Sequence, residues 1–334
     1  MPLNVIENRQ LLYIITMFLI VQFTGLLLAS QIFPSFSFAP QQITSQNLVE
    51  YSIVVVLELT AILAIIMVLL KLIKLEVLFL LFEIGIVGYT SFIFFLIVSS
   101  IASGNASLSV AVLFSTAPFG KSAPMILAIS LLCAAGMVIA KFKWPKMLNM
   151  TSMIASISIG LVLGLLVPFW LAFCFMIGLA VYDLIAVFVT KHMIVLANAA
   201  MSRNLSLMIM ASEVEAVPSS YLGKKDRIEY SKAKKEIYSK NPLIRPVMDS
   251  GMVPLSARTA LGTGDLMAPL MVAVSAYTVY LNFTLSIVVA IGAVLGLGLT
   301  MYTLKKYKRP LPAIPFLLSG ITVALGAFFL ISAL

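Results

Sequence analysis

The chain has 334 residues, of which 61% are hydrophobic and only 10% charged, with a mean hydropathy of +1.10. Soluble domains carry about 25% charged residues, so a soluble globular protein is excluded and an integral membrane protein is expected. A single histidine excludes an HExxH metalloprotease or a His-rich metal site. The net charge of +9 reads as a topology signal and not as a nucleic-acid surface.

Apolar runs recur at about 20 residues, the length a helix needs to cross the hydrocarbon layer, whereas a membrane barrel would alternate in segments of about ten. The expected fold is an all-α polytopic membrane protein with nine transmembrane helices, at 11–30, 51–70, 77–99, 122–140, 147–167, 168–190, 259–281, 283–303 and 311–333. The first run exceeds the apolar core of a cleaved signal peptide, about 7–15 residues, and reads as a retained span. The segment 109–119 is apolar but short, ends at Pro118, and reads as a re-entrant or interfacial piece. The fifth and sixth spans meet at Pro168 with almost no loop. Cys133 and Cys174 lie inside apolar spans, which gives no disulfide framework. The stretch 191–216 is moderately apolar but broken by polar residues, so an amphipathic helix at the cytosolic interface is expected there. The hydrophilic segment 217–255 contains KKDRIEYSKAKKEIYSK at 224–240. It reads as a solvated loop with a short helix, and anionic lipid is a partner such a basic segment would accept. The chain thus divides into an amino-terminal six-helix part (1–216), a cytosolic loop (217–255) and a carboxy-terminal three-helix part (256–334).

Counting basic residues sets the orientation. With the amino terminus inside, Arg9; Lys71 and Lys74; Lys141, Lys143 and Lys146; all those from Lys191 to Arg258; and Lys305, Lys306, Lys308 and Arg309 fall on the cytosolic side. Of the 22 lysines and arginines only Lys121 falls outside, leaving 21 inside. Short loops near span ends carry the rule, and here they all agree. The amino terminus is predicted cytosolic and the carboxyl terminus extracytosolic.

Four acids lie within predicted spans: Glu58, Glu83, Asp183 and Asp265. A charged side chain at membrane depth is costly and marks function by default. Asp183 stands eight residues before Lys191, and Asp265 seven residues after Arg258. With a helical rise, both lie roughly 10–12 Å inside the cytosolic face. Two carboxyls within hydrogen-bond range share one proton, so one can act as general base on a water while the other protonates a peptide carbonyl oxygen. Neither a metal nor a cofactor is needed. Glu58 and Glu83 read instead as protonated or paired acids facing the bundle interior. The competing readings are an ion- or proton-coupled secondary transporter using these carboxylates, a prepilin-type peptidase, and an inactive scaffold. No inverted repeat supports the first, and only the Gly-Thr-Gly-Asp stretch that ends at Asp265 supports the second.

The stretches VYDLIAVF at 181–188, LGTGD at 261–265 and RPLPAIP at 309–315 resemble the presenilin and signal peptide peptidase family of intramembrane aspartyl proteases. That family places YD on the sixth span, GxGD on the seventh and Pro-Ala-Leu on the ninth; SRNLSL at 202–207 is also presenilin-like. The resemblance implies a presenilin-like fold and makes Asp183 and Asp265 the catalytic pair. It makes Tyr182, Gly262, Thr263, Gly264, Pro312, Ala313 and Ile314 motif or substrate-binding residues. The glycines would let a substrate backbone approach. Thr263 stands where presenilins carry leucine, and Ile314 replaces the leucine of Pro-Ala-Leu. The orientation favours the presenilin sense over the inverted signal peptide peptidase sense. The implied partners are single-pass transmembrane substrates and membrane lipid, with no nucleic acid and with homo-oligomerisation left open. The implied protein is a simple prokaryotic, archaeal-type homologue.

Overall fold

The computed structural model describes residues 2–33, 83–88, 90–95, 123–189, 208–218, 252–307 and 311–333. The predicted second span, the 109–119 segment, the basic stretch 224–240, Glu58 and Lys121 lie outside them, as does the SRNLSL stretch. The elements in chain order are α1 (Pro2–Ile32), α2 (Ala123–Lys143), α3 (Pro145–Leu166), α4 (Phe169–Leu184), β1 (Met208–Pro218), β2 (Met252–Gly262), α5 (Thr263–Tyr280), α6 (Phe283–Tyr307) and α7 (Ile314–Ala333). A further helical stretch, Glu83–Phe95, falls within the third predicted span. Among the described residues, five helices are long and apolar enough to cross a membrane: Gln10–Ile32, Met147–Leu166, Phe169–Val189, Phe283–Tyr307 and Ile314–Ser332.

Prolines set several boundaries. Pro145 occupies the first turn of α3, where its missing N–H costs nothing. Val167, just before Pro168, is extended at φ −101° and ψ 127°, as a residue preceding proline must be. That single break separates α3 from α4.

Two expectations need correction. The fold is mostly helical but not all-α, because β1 and β2 pair as a two-stranded sheet. Residues 208–216 are therefore strand, not amphipathic helix. The segment MIMASEVEAVP alternates Glu213 and Glu215 with Val214 and Ala216, a period of two that suits a strand. In a sheet of two strands each strand is an edge, so Pro218 and Pro254 are tolerated. The seventh helix begins at Thr263 and not at 259, since β2 runs to Gly262.

The described residues form two units: Met1–Ile14 with Met210–Ala260, and Ile15–Ile209 with Leu261–Leu334. The first contains most of the β1–β2 sheet. The second holds the helical bundle, and α5 is its centre: every residue from Ala268 to Ala276 on this helix is buried. Small residues admit it. Ser152, Ser156, Gly160 and Gly164 recur every four residues on α3, forming one stripe. A Cβ on Gly160 would lie 3.0 Å from the Met267 carbonyl oxygen, and one on Gly164 would lie 2.8 Å from that of Met271. The Ser156 hydroxyl meets the Thr263 carbonyl 107 residues along the chain, and the two glycine contacts keep the same offset. A constant offset means that α3 and α5 run parallel. On another side, Gln22 meets Leu266, a Cβ on Gly25 would meet Leu270, and the Phe33 and Tyr277 rings pack edge-to-face at 5.7 Å. These contacts make α1 parallel to α5 as well. Gly292 and Gly296 on α6 face Gly320 and Phe316 on α7 in reverse order, so this pair is antiparallel. Small residues at each seam are how helices approach closely where lipid offers no hydrophobic drive to associate.

Candidate active site

Asp183 closes the last regular turn of α4, and Asp265 lies in the first turn of α5. The register between the two helices follows from their far ends. Phe169 at the start of α4 packs edge-to-face on Tyr280 at the end of α5, centroids 5.6 Å apart. Asp183 is 14 residues on from Phe169, and Asp265 is 15 residues back from Tyr280. At the helical rise these are about 21 Å and about 22 Å, so two antiparallel helices pinned at one end bring the two acids opposite each other at the other.

Each carboxylate is held by a helix amino terminus. Asp183 is buried, 6% exposed, and its Oδ2 accepts the Ile314 N–H at 3.3 Å, with the Ala313 backbone also acting on it. Ile314 opens α7, so its N–H has no partner within the helix and is free to serve an anion. Pro315 follows in the first turn, where proline is favoured, while the Ala313 carbonyl accepts from Phe316 and Leu317, each at 3.1 Å. Asp265 is half-buried, and its Oδ2 accepts the Gly262 N–H at 3.3 Å, an acid at the third position of its own helix, where the dipole favours it. Directly after Asp183, residues Ile185–Val189 widen into a π-turn, a rare geometry that recurs at functional sites.

The predicted residues separate accordingly. Asp183, Asp265, Gly262, Ala313 and Ile314 converge, and Pro312, Ala313 and Ile314 are all buried. Gly262 has φ −65° and ψ 147°, which any residue adopts; what glycine provides is room, since a Cβ would stand 3.2 Å from Asp265 Oδ2. Around Gly264 a Cβ would meet nothing within 4 Å. Thr263 is half-buried, and its carbonyl faces Ser156. Tyr182 is 42% exposed beside buried Asp183. Glu83 is ion-paired with Lys141 across from the Glu83–Phe95 stretch to α2, in keeping with its reading as a paired acid. Lys141, read in sequence only as a topology charge, is 2% exposed. Gln22, Ser152 and Ser156 went unread, although a glutamine in mid-span was a visible signal.

The family model described as signal-peptide peptidase, presenilin aspartyl protease matches residues 15–334. The chain belongs to this family. Membership favours peptide hydrolysis over the transport reading and makes this an integral, multi-pass membrane protein. Its fold is similar to solved structures of a presenilin family intramembrane aspartate protease in two crystal forms. One has a TM-score of 0.55 at 17% identity, covering 96% of this chain and 99% of that one. The other has a TM-score of 0.53 at 17% identity, covering 95% and 96%. No curated protein matches the chain.

Proposed function

We propose that the chain is an intramembrane aspartyl protease in which Asp183 and Asp265 are the catalytic pair, cutting single-pass transmembrane substrates. The observation that carries the assignment is the antiparallel register of α4 and α5, which brings two carboxyls opposite each other at one end of the helix pair. One carboxyl carries a proton and the other does not. The ionised one takes a proton from water, the water oxygen adds to the peptide carbonyl carbon, and the protonated one gives its proton to the carbonyl oxygen. Collapse of the tetrahedral intermediate then delivers a proton to the leaving amine. The N–H groups of Ile314 and Gly262 hold the two carboxylates in aim. The open space at Gly264 is where an unwound substrate strand would run, since a substrate helix must release its own backbone pairing before an amide can be attacked.

In this reading the chain crosses the membrane nine times, with its amino terminus cytosolic, its carboxyl terminus outside, and 217–255 as a cytosolic loop between a six-helix and a three-helix part. The parallel runs of α1, α3 and α5 support it, because as the first, fifth and seventh spans they share one direction. Tyr182, Thr263 and Pro312 are assigned to the substrate-facing motifs on the family pattern. Lipid is the surrounding partner, and self-association is left to measurement. The reading is tested with purified protein and a tagged transmembrane peptide in detergent. An aspartyl-protease transition-state analogue is expected to stop cleavage and to raise the unfolding temperature. Cleavage that persists at saturating analogue would overturn the mechanism.

A further inference from the structure

Gln22 is a fully buried amide in the middle of an apolar helix; its neighbours Phe18, Val21 and Leu26 are buried hydrophobics. Its Nε2 donates to the Leu266 carbonyl oxygen at 3.0 Å, across 244 residues. An apolar side chain would fill this place without the cost of burying an amide, and its Oε1 remains buried without a partner. What the amide provides here is the N–H that reaches α5. Leu266 follows Asp265 directly, in the first turn of α5.

Its own backbone leaves that turn incompletely supported. It begins at a strand-to-helix junction at Gly262. Gly264 has nothing packed where a Cβ would be. Pro269 has no N–H to give to the Asp265 carbonyl four residues back. From the α3 side the Ser156 hydroxyl stands 3.4 Å from the Thr263 carbonyl, but its one hydrogen is shared with the Ser152 carbonyl at 2.8 Å. Of Ser156 and Gln22, Gln22 makes the shorter contact with this turn, 3.0 Å against 3.4 Å. The Thr263 and Leu266 positions face one side of the helix, roughly 130° round from Asp265, so a donor there fixes the rotation of the turn without touching the carboxyl.

We infer that Gln22 is a positioning residue for the proteolytic reaction: by holding the Leu266 carbonyl it sets the rotation and depth of the first turn of α5, and with them the aim of Asp265 at Asp183. The inference rests on the catalytic-pair reading above. Hydrogen bonds between membrane helices contribute little to stability on average, so the loss appears in turnover. Gln22→Met keeps length without a donor. Gln22→Asn keeps an amide in the bilayer but withdraws it by one methylene, which covers the case in which the first variant does not fold.

Full-length protein is assayed on a tagged transmembrane peptide, with kcat, KM, the pH dependence of kcat and the unfolding temperature measured in one detergent. Both variants are expected to lose kcat roughly 10- to 100-fold, the scale of a small misplacement in an active site. KM is expected to stay within about twofold, with the pH profile displaced and the unfolding temperature near wild type. Unchanged kcat, or a loss that merely follows the folded fraction, would overturn the inference. Asp265→Asn is run alongside. If it is inactive while the Gln22 variants behave as wild type, only the positioning role fails; if it still cleaves, the catalytic-pair reading fails with it.

Discussion

Asp183 and Asp265 were legible as residues because an acid cannot sit at membrane depth cheaply. What holds them was not legible, because Ile314 and Gly262 act through backbone N–H groups that any residue but proline supplies. Gly262 and Gly264 illustrate the same limit. The sequence suggests backbone freedom at both; the geometry gives Gly262 an ordinary φ and a neighbouring carboxylate, and gives Gly264 empty space. The two glycines should therefore respond differently. Gly262→Ala crowds Asp265 Oδ2 and is expected to lower kcat. Gly264→Ala places its methyl where no atom of another described element lies within 4 Å and gains helix propensity, on the order of 1 kcal/mol. It is expected to leave the unfolding temperature unchanged or higher while raising KM, because its methyl enters the space proposed for substrate. Steady-state cleavage kinetics and thermal unfolding of the two variants distinguish these effects.

Among the elements, helix positions followed from apolar run length, and Pro145 and Pro168 marked their breaks. The β1–β2 sheet did not follow. In 208–216 the overall polarity suits an interfacial helix, and only the alternation around Glu213 and Glu215 argues for a strand. Thr259–Gly262 is strand, so a helical rise from Arg258 does not give the depth of Asp265; the ring pair at Phe169 and Tyr280 sets the register that brings the two acids opposite each other. Two element-scale predictions follow from packing. Gly164→Val would drive atoms into the Met271 carbonyl and the Val274 side chain, since a Cβ alone would stand 2.8 Å and 2.6 Å from them. It is expected to destabilise by about 1–3 kcal/mol, read as a lowered unfolding temperature in detergent. The Glu83–Lys141 pair ties the Glu83–Phe95 stretch to α2, beside a small cluster of Ile86, Val138 and Ala155. Removing one partner, as in Lys141→Met, strands a charge and should cost about 3–5 kcal/mol. The double variant Glu83→Leu with Lys141→Met should recover most of that loss. Additive losses in thermal unfolding would contradict the pairing as the cause.

For the whole molecule, composition decided the membrane class, and the three motifs in order decided the family. The close approach of α1 and α3 to α5 could not be read from hydropathy, because glycine and serine stripes carry little hydrophobic signal. The parallel runs of α1, α3 and α5 agree with alternate crossing, and in the proposed topology the basic residues set the direction of that bundle. Cysteine labelling tests it after replacing Cys133 and Cys174 by alanine. With an impermeant reagent on intact cells, Ser332→Cys is expected to react and Ser231→Cys to react only after permeabilisation; the reverse pattern would invert the topology.

The most direct test of the central claim is cleavage of a tagged transmembrane peptide by the purified protein, with Asp183→Asn and Asp265→Asn compared to wild type and folding checked by thermal unfolding. The account predicts cleavage by the wild type and a loss of at least about 10²–10⁴-fold in each variant, with both variants folded. Cleavage by either folded variant at the wild-type rate would contradict it.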